Sequence, residues 1–237
     1  MTAHVSESSP TALRLFGAVL LYRDEQRVLA RQHSVILEKA KAPRLGAGSL
    51  VTGTLVDELL DLSDRRPLTY VPENVVAFSR NAIAWFEPAR ERRMYFKPTS
   101  DTAVAAFDGQ VIPQPPLVFI AQHRALDVFA LREDRRPTLK TPLYRAPYWN
   151  VFEGHGGQGG RVCLGSMALP ESLEPQATVA WTEAFFASNF THLTGGKRWR
   201  RAGTYAELLA AAIAAMAFDP TWLISANVTL EGAICTS

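Results

Sequence analysis

Cysteine is scarce in this chain of 237 residues, which contains only Cys163 and Cys235. Two cysteines so far apart do not suggest a disulfide framework, so we expect a reducing, cytoplasmic location. An excess of charge of one sign is also lacking, because 25 Lys and Arg residues face 23 Asp and Glu residues and leave a formal net charge of +2. That balance gives no strong bias toward nucleic acids or membrane surfaces.

Long hydrophobic runs are missing as well. The longest apolar helical stretch, residues 208–218, is too short for a bilayer core ~30 Å thick, so no membrane association is predicted. Residues 1–10 contain no Lys or Arg, unlike the start of a secretory signal peptide. No Cys, His, Asp or Glu cluster has metal-ligand spacing, and no Gly-Lys-Ser or Gly-Lys-Thr follows the glycines of 154–160. We therefore expect no metal and no other cofactor.

Hydrophobic residues make up 47% of the chain, which is typical of a folded globular protein. Apolar periodicity and turn residues predict strands at 13–22, 27–36, 83–86, 92–96, 104–107, 117–120 and 126–131. The first two strands are expected to form one β-hairpin, and the last two are expected to form another. The same signals predict helices at 54–62, 175–190 and 204–218, and an irregular stretch at 132–165. Thr204 and Glu207 have the spacing of a capping box at the start of the last helix. The predicted class is α+β, an antiparallel β-meander followed by C-terminal helices.

Cys163 and Asn150 flank the glycine-rich part of the irregular stretch. A thiol can take up an acyl group, and an asparagine amide can donate a hydrogen bond to the oxyanion that forms when the acyl group moves on. Cys163 is therefore either an acyl-accepting nucleophile or a small buried core residue, which is a common state of free cysteine. Asn150 either serves the oxyanion or bonds to loop backbone.

Three further features have two interpretations each. His155, in the glycine loop, is either a base near the thiol or an exposed loop residue. His192 either lines the site or caps the end of a helix. The basic segment 197–201 contains Trp199 and can contact nucleic acid, but the low net charge favours a solvated loop. Nucleic acid is therefore an unlikely partner.

Three motifs carry a resemblance to the core of ubiquitin-conjugating enzymes. Pro113-Gln114-Pro115-Pro116-Leu117-Val118-Phe119 resembles their proline-rich strand entry, Trp149-Asn150-Val151-Phe152 their His-Pro-Asn segment, and Gly160-Arg161-Val162-Cys163-Leu164 their cysteine segment. More closely, the chain is similar to prokaryotic E2 family D, the family of the PRTRC system B proteins. That similarity lies in residues 72–75, 143–151, 161–167 and 188–192 and covers most of the chain.

The resemblance implies a function and its partners. Cys163 would receive the C-terminal carbonyl of a ubiquitin-like protein as a thioester, from a ThiF-type adenylating enzyme encoded in the same plasmid or mobile gene cluster. Asn150 would assist transfer, and the possible supporting residues are Tyr148, Trp149, His155 and His192. The alternative is a non-catalytic module that binds ubiquitin-like or plasmid-maintenance partners.

The same resemblance suggests how the chain is divided. We expect a disordered tail at residues 1–10 and a β-rich N-terminal extension at 11–102. A ubiquitin-conjugating-like region would occupy 103–237, in the C-terminal half.

Overall fold

The structure is a computed structural model that describes residues 16–23, 28–37, 42–62, 69–98, 101–152, 160–165, 167–193, 196 and 198–235. The chain divides into two compact units, Met1–Leu68 and Thr69–Ser237. The tail predicted at 1–10 lies outside the described residues. The boundary predicted near residue 102 falls inside the second unit.

The first unit is a small antiparallel sheet followed by a helix. Its strands are β1 (Gly17–Arg23), β2 (Val28–Ile36) and β3 (Arg44–Leu50), and its helix is α1 (Gly53–Leu62). The predicted hairpin is confirmed, because β1 pairs with β2 along its whole length, and so is the predicted helix at 54–62. No residue of this unit whose burial the structure describes is fully buried, and the buried hydrophobic clusters described belong to the second unit.

The second unit is larger and mostly antiparallel. Its strands are β4 (Val75–Ser79), β5 (Ala82–Glu87), β6 (Arg90–Arg93), β7 (Tyr95–Phe96), β8 (Val111–Gln114), β9 (Leu117–Gln122), β10 (Ala125–Ala130), β11 (Pro142–Arg145), β12 (Val151–Phe152), β13 (Arg161–Val162), β14 (Asn189–Phe190) and β15 (Ser225–Thr229). Its α-helices are α2 (Thr178–Phe186), α3 (Tyr205–Ala215) and α4 (Leu230–Cys235). The main sheet runs β12-β13-β10-β9-β5-β4, and β11 joins β10 to β15.

Strand β9 lies in the middle of the main sheet, and its side chains enter the hydrophobic clusters on both faces of that sheet. The strand is a nearly continuous apolar run, as expected of a strand that is covered on both faces. Phe119 packs into the larger cluster with side chains of α2 and α3, whereas Val118 and Ile120 pack into a smaller cluster with α4. The predicted hairpin between β9 and β10 is confirmed in full register. The predicted α+β class with antiparallel sheets is confirmed as well.

Several predicted elements differ from the structure, and the stretch 132–165, predicted as irregular, contains β11, β12 and β13. The strand predicted at 104–107 is a 3₁₀ helix, Thr102–Phe107, because the Asp101 carboxylate accepts from the Ala103 N–H at 3.1 Å and caps a helical turn. The helix predicted at 175–190 ends at Phe186, and β14 follows it to pair in parallel with β7.

The C-terminus also differs, because it does not consist of helices alone. The chain returns as β15 to pair with β11, a tertiary contact that local propensity does not reveal. The capping box of α3 is confirmed, with both the Thr204 hydroxyl and the Glu207 carboxylate accepting from the other residue's backbone N–H. Within the described part of the chain, no helix is both long enough and apolar enough to cross a membrane.

Candidate functional site

Cys163 directly follows β13, which lies between β12 and β10 in the main sheet. Val162, the residue before it, pairs with Val151 of β12 and is buried, which fixes the backbone at the start of the turn. The Cys163 side chain itself is exposed. This exposure contradicts the interpretation of Cys163 as a packed core residue.

Asn150 lies directly beside Cys163. The Cys163 N–H donates to the Asn150 carbonyl at 2.6 Å, which continues the β12–β13 ladder past its last strand pair. The backbone of Asn150 is not extended. Its φ is 59°, in the left-handed region that asparagine tolerates better than most residues. Asn150 therefore forms a sharp turn before β12, and its carbonyl fixes the segment that carries Cys163 through a backbone hydrogen bond.

The Asn150 side chain is fixed by three hydrogen bonds to the segment that follows α2. Its amide N–H₂ donates to the Asn189 carbonyl at 2.8 Å. Its amide oxygen accepts from the Thr191 N–H at 3.1 Å and from the Thr191 hydroxyl at 3.0 Å. The backbone partners define which end of the amide is which, since the Asn189 carbonyl needs a donor and the Thr191 N–H needs an acceptor.

The Asn150 amide has one N–H without an acceptor in the part of the chain that the structure describes. The amide nitrogen carries two hydrogens, and only one donates to an acceptor among the described residues. The residue as a whole is 8% exposed, so it is almost completely buried. The interpretation of Asn150 as a residue that bonds to loop backbone is confirmed, and its role toward an oxyanion stays a prediction.

Tyr148 and Trp149 anchor this turn in the core. Tyr148 packs edge-on against Phe185 of α2, with ring centroids 5.3 Å apart, and Trp149 stacks on Tyr205 of α3 at 5.3 Å. Burial, and to a smaller extent Tyr205, raises the pKa of Tyr148 well above its ordinary value, against a smaller lowering effect of Arg92. Burial likewise raises the pKa of Tyr205. Both phenols stay neutral, so neither supplies a phenolate base to the thiol.

His192 lies next to Asn150, whereas His155 lies outside the described residues. The Asn150 N–H donates to the His192 carbonyl at 3.1 Å, and the His192 ring meets the Thr191 hydroxyl at 2.9 Å. Because that hydroxyl gives its single hydrogen to Asn150, the Nδ1 of a neutral His192 must be the donor in this contact. Its Nε2 then carries the lone pair on an exposed ring.

The hairpin that carries Cys163 has two further supports. The Arg161 guanidinium pairs with the Asp127 carboxylate of the neighbouring strand at 2.9 Å. Gly160 packs so closely on Phe129 that a Cβ at this position would lie 2.5 Å from the ring. Glycine is therefore required here by a close approach of backbone to an aromatic side chain.

In the basic segment 197–201, of which the structure describes 198–201, Arg198 and Trp199 are not part of the solvated loop that the low net charge favoured. Arg198 and Trp199 are only 1% and 3% exposed, and the Arg198 Nε donates to the Ala146 carbonyl at 3.0 Å. The tryptophan is a core residue, because it packs against Tyr205. Among the described residues, no group of three or more His, Cys, Asp or Glu side chains is placed to hold a metal ion.

Asn189 and Thr191 were not identified as site residues from the sequence. They belong to the segment Ser188-Asn189-Phe190-Thr191-His192. Asn189 is 39 residues and Thr191 is 41 residues along the chain from Asn150. The segment contributes to the resemblance but has no local pattern that indicates a role beside the thiol. The parallel β14–β7 pair, with Phe190 opposite Phe96, brings it there.

Comparison with protein families identifies the class. The model of prokaryotic E2 family D matches residues 52–220. This range covers more than half of the chain and includes Asn150, Cys163 and Thr191, so the chain belongs to this family. No curated protein and no solved structure matches the chain significantly.

Proposed function

We propose that this chain is a ubiquitin-conjugating-like thiol carrier. It accepts a ubiquitin-like protein from a ThiF-type adenylating enzyme as a thioester on Cys163. The observation that carries the proposal is the exposed Cys163 thiol, bonded through its backbone to Asn150, within the range that matches family D.

The first step loads the thiol. Cys163 loses its proton to a solvent base, and the thiolate sulfur attacks the activated C-terminal carbonyl carbon of the ubiquitin-like protein. A C–S bond forms, the bond to the adenylating enzyme's leaving group breaks, and that group departs with the electron pair. An exposed thiol suits this step, because a second protein has to bring its carbonyl to the sulfur.

The second step transfers the acyl group from Cys163 to an amine. An amine lone pair attacks the thioester carbonyl carbon, a C–N bond forms, and the carbonyl oxygen becomes an oxyanion. The available N–H of Asn150 donates to this oxygen and lowers the barrier. The C–S bond then breaks, Cys163 leaves as a thiolate, and the proton of the amine passes to solvent. No residue of the site has to accept the proton of the amine in this step.

The wider setting follows from the family and is part of the proposal. The ubiquitin-conjugating-like core would lie in the C-terminal half, which contains Asn150, Cys163 and α2. The ubiquitin-like protein and the adenylating enzyme would be encoded with this chain in a plasmid or mobile element, and the system would act in the cytoplasm.

A thioester assay tests this function. The purified chain is incubated with ATP, the adjacent adenylating enzyme and the small ubiquitin-like protein, and is then separated on a gel with and without reductant. We expect a reductant-sensitive adduct that is absent in Cys163→Ala and reductant-resistant in Cys163→Ser. Cys235→Ala is the matched control, because it removes the other exposed cysteine and should leave the adduct unchanged. No adduct with a charged adenylating enzyme would refute the carrier function.

The second candidate is a non-catalytic interaction module. The observation that favours it is the use of the Asn150 side chain as a structural clamp, with three hydrogen bonds to Asn189 and Thr191. In this case Cys163→Ala would bind the ubiquitin-like protein as the wild type does, and it would complement a deletion of the gene in cells.

A further inference from the structure

Thr191 makes the bonds that orient the Asn150 amide. Both its N–H and its hydroxyl donate to the same amide oxygen, at 3.1 and 3.0 Å. An amide held only by the Asn189 carbonyl, at 2.8 Å, could still turn about that single bond. The two bonds from Thr191 remove this freedom, because they fix the oxygen end while Asn189 fixes the nitrogen end.

This orientation decides where the available N–H points. Because the amide is planar, the direction of one N–H and of the oxygen fixes the direction of the second N–H. The amide belongs to the residue whose carbonyl accepts from the Cys163 N–H, so a rotation of the amide redirects a donor on the residue that is bonded to the thiol-bearing segment. Transfer that uses this donor is sensitive to displacements of about 1 Å.

The geometry points to Thr191 as a positioning residue that holds the Asn150 amide ready for the oxyanion of the thioester; this inference rests on the proposed carrier function. Thr191 touches neither the thiol nor the acyl group in this role. His192 also contacts the Thr191 hydroxyl, because its Nδ1–H donates to that oxygen at 2.9 Å. This bond leaves the hydroxyl hydrogen directed at the Asn150 amide oxygen.

The variants that test this role keep the shape of the side chain. Thr191→Val removes the hydroxyl but retains the branched side chain and the backbone N–H bond. Thr191→Ser retains the hydroxyl. We expect Thr191→Val to slow discharge of the charged chain to free lysine or hydroxylamine about three- to tenfold, the size expected from one lost hydrogen bond. Thr191→Ser should restore most of the rate.

A double-mutant cycle separates positioning from general stability. If Thr191 acts through Asn150, Thr191→Val should have little additional effect on discharge in an Asn150→Ala background. If it acts on stability alone, its effect should be the same in both backgrounds. Thr221→Val, an exposed threonine outside these hydrogen bonds, is the matched control, and loading of Cys163 is measured separately for every variant.

A second readout does not depend on catalysis. In the wild type, the two Asn150 side-chain amide protons should give separate, sharp NMR signals, and Thr191→Val should broaden or shift them while Thr191→Ser does not. Unchanged amide signals, or a normal discharge rate in Thr191→Val, would overturn the role of Thr191 alone. The absence of any wild-type thioester would refute the carrier function and this inference with it.

Discussion

The Cys163 N–H donates to the Asn150 carbonyl over 2.6 Å, so the proposed nucleophile and the proposed oxyanion donor share one backbone hydrogen bond. The bond continues the short β12–β13 ladder, in which Val151 pairs with Val162. A change in the backbone at Asn150 therefore reaches the thiol directly. The separation of the two residues in the chain does not weaken this coupling, because the ladder closes the loop between them.

The left-handed conformation of Asn150 gives the first prediction. Replacement by glycine or by alanine removes the same three side-chain hydrogen bonds and should lower the free energy of unfolding. Alanine also has to adopt a φ of 59°, which costs a non-glycine residue ~1–2 kcal/mol, partly offset by the flexibility of glycine in the unfolded chain. We expect Asn150→Gly to be more stable than Asn150→Ala by about 1 kcal/mol in urea unfolding.

The control for this comparison is Ala146, which precedes the same turn with an ordinary φ and is fully buried. At this position, Ala→Gly should destabilise, as glycine normally does outside the left-handed region. Equal stability of the two Asn150 variants would show that the turn relaxes when the side-chain bonds are lost.

Thiol exposure gives the second prediction. Cys163 and Cys235 are both exposed, so a thiol reagent such as DTNB should titrate two thiols per chain under native conditions, without denaturant. In each of the variants Cys163→Ala and Cys235→Ala, the reagent should then titrate one thiol per chain. A Cys235→Ala chain that reacts only after denaturation would mean that Cys163 is buried and would argue against the carrier function.

Part of this fold was predictable from local patterns. The β9–β10 hairpin follows from two apolar runs joined by a short turn, and the start of α3 follows from Thr204 and Glu207. Such signals lie within a few residues of each other and need no tertiary context. The 3₁₀ helix at Thr102–Phe107 was not recognised, because its apolar residues also suit a short strand and the cap from Asp101 decides the conformation.

Only some residues of this candidate site could be named from the sequence. Asn150 and Cys163 were found through motif order, but Thr191 was not, since a parallel pairing between β14 and β7 brings it to Asn150. Pairings between distant segments have no local signal in a single sequence. The roles of Tyr148 and Trp149 as core anchors likewise depend on α2 and α3. The catalytic roles of these residues stay predictions.

The buried hydroxyl of Tyr148 gives the third prediction. The side chain is 1% exposed, and its hydroxyl has no hydrogen-bond partner among the described residues. An unsatisfied buried hydroxyl costs ~1–3 kcal/mol, so Tyr148→Phe should leave the free energy of unfolding unchanged or raise it by about 1 kcal/mol. Thermal unfolding measures this, with Tyr95→Phe at an exposed position as the control. A clear loss of stability would reveal a buried water that serves the hydroxyl.

The contact between Gly160 and Phe129 gives the last prediction. A Cβ on Gly160 would lie 2.5 Å from the ring, and the ring is buried in the sheet, so Gly160→Ala should destabilise the protein by about 1–3 kcal/mol. Phe129→Leu opens space at the same point, and the double variant should recover part of that loss in chemical unfolding, which marks the two positions as coupled. Gly196→Ala is the matched control, because nothing lies within 4 Å of its Cβ position. Since Gly160 donates to the Phe152 carbonyl at 3.1 Å and precedes β13, a displaced Gly160 should also slow thioester formation on Cys163. Full stability of Gly160→Ala would mean that the ring moves aside freely and does not fix the hairpin that carries the thiol.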